Sequence, residues 1–183
     1  MHSVFVAGSR ALSKLNEQVR ERLDNIVKQN FTVLVGDANG ADKAVQRYLA
    51  ERGYQNVVVY CMEVCRNNVG NWATRAHTGE SSARHDRQYY GIKDLAMAKA
   101  ATWGFMIWDG TSKGTLTNVI NLVSAEKKVL LYSDPKKHFF TLHTSGDIHR
   151  ALSASGIKDA AGFLASLKTK TPDSEHLHFA FRS

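Results

Sequence analysis

Short apolar runs that do not alternate, each followed by a helical stretch, constrain this chain more than any other feature. Ser3–Ala7, Phe31–Val35, Val57–Tyr60, Trp103–Trp108 and Lys128–Tyr132 are such runs. A strand with one face in water alternates apolar and polar residues, whereas a strand covered on both faces need not. The intervening stretches Ser13–Gln29, Ala41–Arg52, Ser81–Ala100 and Leu116–Ala125 are expected to be helices. In the first, Leu15, Val19, Leu23, Ile26 and Val27 recur three or four residues apart, which makes one sticky stripe. In the second, Ala44, Val45, Tyr48 and Leu49 face inward and Gly53 is the stop signal. Strands that alternate with helices build parallel βαβ units with right-handed crossovers. The expected architecture is therefore α/β and doubly wound: a mainly parallel five-stranded sheet with helices on both faces.

A chain of 183 residues fits one domain with an appendage. The strand–helix rhythm fills residues 1–134. Residues 135–183 read as a C-terminal extension packed on the same domain. It holds a short extra strand at Phe139–Leu142, helices at Gly146–Ala154 and Ala160–Leu167, and an edge-like pattern at His176–Phe181. One stretch breaks the rhythm. Cys61–Glu80 is polar, with Arg66, Asn67, Asn68, Asn71, Arg75 and His77 around Trp72, and reads as a long functional loop.

Composition narrows the function classes. Apolar residues are 43% and charged residues 22%, which excludes disorder or coiled coil for the whole chain. No apolar run reaches the roughly 18 residues of a membrane span, so no membrane partner is expected. The N-terminus enters a strand pattern directly, without the basic and then apolar leader of an exported chain. A cytoplasmic location is expected, with Cys61 and Cys65 as reduced thiols. Cys61, Cys65, His77 and His85 do not have zinc-finger spacing, and neither a metal nor a cofactor is expected. The net charge of +7 is spread along the chain; its largest groups are Lys127-Lys128 and Lys136-Lys137. Such a field favours anionic ligands, nucleotides among them. Nucleic acid wants a clustered basic stripe with interleaved aromatics, which the sequence does not show, so it is not an expected partner.

Ligands of an open parallel sheet bind beyond the carboxyl ends of its strands. Three glycine-bearing segments stand at such ends: Gly8-Ser9-Arg10, Gly36-Asp37-Ala38-Asn39-Gly40-Ala41-Asp42, and Asp109-Gly110-Thr111-Ser112-Lys113-Gly114-Thr115. The last two run into helices. Glycine lets backbone approach a ligand, and the free N–H groups of a first helical turn suit a phosphate. Neither segment is a P-loop or a dinucleotide fingerprint. Asp42 reads either as a first-turn acid that complements the helix dipole or as an acceptor for ribose hydroxyls, and Asp37 is ambiguous in the same way. Lys113 reads as a solvated lysine or as a point charge on a phosphate. Thr115 reads as a helix cap or as a phosphate contact. Arg66, Asn67, Asn68 and Trp72 are candidate loop contacts, Trp72 by stacking on a base. Trp103 and Trp108 read as core aromatics.

Together, Gly8-Ser9-Arg10, the G-x-x-x-G-A-D pattern of Gly36–Asp42, Lys93-Asp94-Leu95-Ala96-Met97 and Asp109–Thr115 resemble the SLOG superfamily of Rossmann-like nucleotide-binding domains. The nearest likeness is to its YspA-type branch, of which Cys65–Trp72 looks like a feature. The LONELY GUY phosphoribohydrolases and the DprA/Smf DNA-processing proteins are more distant relatives. The resemblance covers about residues 3–133. It implies a site for a nucleotide or a nucleotide derivative, those made from NAD included. It also implies a homodimer or higher assembly through the Ser81–Ala100 helix, which carries Tyr89, Tyr90, Ile92, Leu95 and Met97. The departures concern catalysis. Asn118 stands where those hydrolases carry a catalytic Glu, and Lys93-Asp94 stands where they carry a catalytic Arg. An amide is no general base, and lysine lacks the guanidinium fork. The residues thus support binding or sensing better than hydrolysis, with Lys93, Asp94 and Asn118 as the catalytic candidates. The alternative is cleavage of an N-glycosidic bond by another acid, with Glu63, Asp37 and Asp109 as the carboxylates to consider.

Overall fold

The computed structural model describes residues 2–78 and 87–168. Among these residues seven strands form one sheet: β1 (Ser3–Gly8), β2 (Thr32–Gly36), β3 (Val57–Met62), β4 (Ala73–His77), β5 (Trp103–Trp108), β6 (Val129–Ser133) and β7 (His138–Leu142). Their spatial order is β4-β3-β2-β1-β5-β6-β7. Every neighbouring pair is parallel except β6–β7, which is antiparallel. The chain lays β2, β3 and β4 to one side of β1, then returns to place β5 on the other. The order of winding therefore reverses between β1 and β5.

Among the described residues the helices are α1 (Glu17–Lys28), α2 (Ala41–Glu51), α3 (Arg87–Ala100), α4 (Lys113–Ser124), α5 (Ser145–Ala154) and α6 (Ala160–Lys168). They cover both faces. Val19 and Leu23 of α1 and Val45 and Leu49 of α2 pack on Val4, Val6, Val33 and Val35. Met97 of α3, Leu116 and Val119 of α4 and Ile148 of α5 pack on Phe5, Ala7, Met106 and Trp108 of the opposite face. Leu164 and Leu167 of α6 join that second core, so the segment after Pro135 shares its hydrophobic contacts with the rest. Double coverage explains why the strands carry no period-2 pattern.

The sheet has seven strands rather than five, and the two added strands lie at its edges. β7 is the short apolar run Phe139–Leu142 extended by one residue. β4 falls inside Cys61–Glu80, so that stretch is a loop only in part. Its sequence is Ala-Thr-Arg-Ala-His, and four of its five residues are exposed. A half-paired edge strand with no apolar face offers no hydrophobic pattern to read. The start of the expected Ser81–Ala100 helix, His85 and the edge-like His176–Phe181 lie outside the described residues. No helix among the described residues is long and apolar enough to cross a membrane.

A second correction concerns the cysteines. Cys61 and Cys65 are joined in a disulfide rather than standing as two thiols. β3 ends just past Cys61, and Glu63 turns the chain with a left-handed backbone (φ 46°). That turn brings the two Cα atoms to 5.0 Å, within bridging range. Bonded sulfurs are not thiolate metal ligands. No group of three or more His, Cys, Asp or Glu among the described residues is arranged to hold a metal ion.

Candidate functional site

Ser9 ties together the point where the winding reverses. Its N–H donates to Ile107 O at the end of β5 (3.0 Å). Its hydroxyl donates to Asp109 Oδ2 (2.6 Å), and its own Oγ accepts from the Ala11 N–H. Asp109 in turn accepts at Oδ1 from the N–H groups of Thr111 and Ser112 (2.9 and 2.7 Å). Burial would raise the Asp109 carboxyl, but these donors outweigh it and hold it below its ordinary value. One serine–aspartate bond thus joins the loops after β1 and β5, where an open sheet forms its ligand crevice.

The two glycine loops behave differently. At the loop after β2, Gly40 caps α2 with a left-handed backbone (φ 84°), and its α-carbon lies against the Arg10 backbone, where a side chain would collide. The N–H of Ala41, the first residue of α2, donates to Ser9 O (3.1 Å). The chain itself therefore occupies this helix end with Gly8-Ser9-Arg10. At the loop after β5, Gly110 makes the left-handed turn (φ 88°). Ser112 is the N-cap of α4; its side chain accepts from the Thr115 N–H, and Thr115 is buried. Lys113 and Gly114 form the first turn, and a β-carbon on Gly114 would meet nothing within 4 Å. A helix N-terminus presents its first-turn N–H groups to an anion, and a side chain at Gly114 would find room beside them. The ammonium of Lys113 lies 5.9 Å from the Phe163 ring.

Beneath these loops lies a buried charge cluster. Asp37 is 1% exposed and Lys93 is 3% exposed. Arg66 grips Asp37 through its backbone N–H (3.1 Å) and both arms of its guanidinium (3.0 and 2.7 Å). Burial opposes ionisation of Asp37, but Arg66 and Lys93 hold its carboxyl below the usual range. Lys93 Nζ donates to Asp94 (2.9 Å) and stands 3.8 Å from Asp37. Burial alone would lower this ammonium; Asp94, Asp42 and Asp37 together raise it. Among the described residues, Asp42 has no such ion pair. Burial pushes its carboxyl up to about 6, against the pull of Lys93. Asn118, on the inner face of α4, donates its amide to Asp94 (3.4 Å).

Of the loop candidates, Arg66 and Asn67 reach the cluster. Asn67 donates to Asp37 O (2.7 Å). The Arg66 guanidinium lies over the Tyr90 ring at 4.4 Å, and that of Arg10 lies near the same ring at 5.4 Å. Asn68 bonds both backbone polar groups of Trp72 and closes its own turn. Trp72 is elsewhere: it is 6% exposed in the core against α2, with its indole N–H on Tyr54 O (2.8 Å). That burial leaves no face for a base. The backbone N–H of Glu63 donates to His77 O on β4 (2.9 Å).

Sequence reasoning missed Gln46 and Tyr90 as parts of this arrangement. Gln46, fully buried on α2, donates to Gly36 O (2.8 Å) and Asn67 O (3.2 Å) and accepts from the Val69 N–H (3.0 Å). A glutamine beside the inward-facing Val45 was the available signal. No family model, no curated protein and no solved structure matches this chain.

Proposed function

We propose that this chain binds a nucleotide or nucleotide derivative as a sensor or binding domain, in the manner that its SLOG resemblance implies. The observation that carries the reading is the open first turn of α4 at Gly114, beside the Ser9–Asp109 bridge at the winding reversal. The phosphate goes to Lys113 and Gly114. The hydroxyl-bearing part goes toward Asp94, whose side chain keeps 26% exposure at the edge of the buried cluster and whose carboxylate accepts from hydroxyls and repels phosphate. The cytoplasm and a homodimer belong to the same reading; Ile92 and Leu95 of α3, 39% and 38% exposed, support the second.

A second reading, cleavage of an N-glycosidic bond, is favoured by Asp42 alone. A buried carboxyl near 6 is the kind of group that donates a proton near neutrality. Asp37 and Asp109 are held ionised and saturated by donors, and Asn118 takes no proton. Calorimetry with AMP, ADP and ADP-ribose tests binding, and overnight incubation with AMP and isopentenyl-AMP, read by chromatography, tests turnover. Binding without released base is the expected result. Turnover that disappears in Lys93→Ala would replace the binding reading by the enzymatic one.

A further inference from the structure

We propose that the Cys61–Cys65 disulfide is a redox latch on this site, and that reducing it releases Arg66 from Asp37. The proposal rests on reading the crevice as a ligand site. Cys61 lies at the end of β3 and is 1% exposed, so that end of the bond is anchored in the core. Cys65 is partly exposed, and Val64 between the two is 81% exposed. A thiol in solution therefore meets the bond at Cys65. The next residue is Arg66, whose backbone and side chain supply three hydrogen bonds to Asp37. The place of Cys65 sets the angle at which Arg66 meets that carboxylate.

The two ends of the segment are held by different means. Beyond Arg66, Asn67 and Val69 are pinned by Asp37 O and by Gln46 of α2. Before it, the disulfide and the bond from the Glu63 N–H to His77 O hold the chain to β3 and β4. Cutting the sulfur bridge thus loosens Val64–Arg66 without unseating the whole loop. Lys93, 3.8 Å from Asp37, is the cation that remains beside it. Its turn toward Asp37 weakens its hold on Asp94 and rearranges the floor of the site.

The chemistry is thiol–disulfide exchange with a dithiol or with glutathione. A thiolate attacks the Cys65 sulfur and expels the Cys61 thiolate. A second thiol then resolves the mixed disulfide. The balance is one protein disulfide and two thiols giving two protein thiols and one small-molecule disulfide. In a compartment where thiols are kept reduced, the bonded form is the one that oxidation makes.

Hydrogen–deuterium exchange of the full chain, oxidised with glutathione disulfide or reduced with dithiothreitol, tests the latch. Amides in the peptide spanning residues 63–67 are expected to exchange about tenfold faster when reduced, while β1 and β5 keep their protection. The Cys61→Ser/Cys65→Ser variant should match the reduced form and ignore dithiothreitol. AMP is the ligand probe, and its affinity should differ between the two states by about fivefold or more. Equal exchange in both states, or two alkylatable thiols after oxidation, overturns the latch. Unequal exchange with equal AMP affinity overturns its link to the site. If AMP binds neither state while exchange differs, it is the ligand reading that fails.

Discussion

At residue scale the buried charges dictate which side chains are tolerated. Gly36 ends β2 directly beneath them: a β-carbon there would overlap Asp42 Oδ2 and stand 2.9 Å from Lys93 Nζ. Neither side chain has exposed space to retreat into. Gly36→Ala is therefore expected to lower stability by about 1–3 kcal/mol, as overpacking of a filled site does, measured by urea unfolding. Gly91→Ala is the control, because nothing lies within 4 Å of its would-be β-carbon in α3; it should add about 0.5–1 kcal/mol. Asp42 makes a second prediction. Its carboxyl titrates near 6 when folded against 3.8 in the unfolded chain. Between those values the folded state holds a proton that the unfolded state has lost, so this group's contribution to stability falls as pH rises from about 4 to about 6. Asp37 and Asp109, both lowered, act oppositely, and their contribution is lost as pH falls below about 4. Unfolding free energy should thus be higher at pH 5 than at pH 7.5, by about 1.4 kcal/mol from Asp42, since only one unit of its shift lies above pH 5. Asp42→Asn should flatten that difference; an unchanged pH profile in the variant would contradict the assignment.

At the scale of elements, the first turn of α4 separates folding from binding. Gly114 sits where an acid favours the helix, since negative charge near an N-terminus is worth about 0.3–1 kcal/mol, and its β-carbon has open space. Gly114→Asp should leave the circular dichroism spectrum unchanged and the melting temperature equal or slightly higher. The same carboxylate occupies and repels the phosphate position, so nucleotide affinity should fall at least about tenfold in calorimetry. Undiminished affinity would place the phosphate elsewhere. The corresponding turn of α2 gives no such separation, because its first N–H already bonds Ser9 O.

For the whole molecule, α3 is both the roof of the charge cluster and a candidate contact with a second copy. Lys93 and Met97 point inward, at 3% and 1% exposure, whereas Ile92 and Leu95 face out. Met97 thus belongs to the core, and the apolar surface left for assembly is smaller than the sequence of the helix suggests. Light scattering at micromolar concentration should give about twice the chain mass of 20.3 kDa, falling to the monomer mass in the Ile92→Glu/Leu95→Glu variant. A 20.3 kDa species in the unmutated protein would contradict assembly.

The alternation of apolar runs and amphipathic helices was enough to specify an α/β protein with a mostly parallel sheet, because burial on both faces erases the period of 2 and leaves a pattern that is hard to mimic. Trp103–Trp108 is the same strand in sequence and structure, and the glycine loops do stand at strand ends. β4 stayed hidden because an exposed edge strand needs no apolar face. The disulfide stayed hidden because it depends on a left-handed turn at Glu63, where nothing in the residue type demands one. The site divides in the same way. Gly36, Asp37, Asp109 and Gly114 could be named from local spacing. That Arg66 would clamp Asp37, that Lys93 would lie among three carboxylates, and that Ser9 would fill the end of α2 while leaving α4 open were decided by contacts between segments far apart in the chain. Backbone propensity and hydrophobic period act over a few residues; the partner of a buried charge is set only when the sheet brings distant loops to one end.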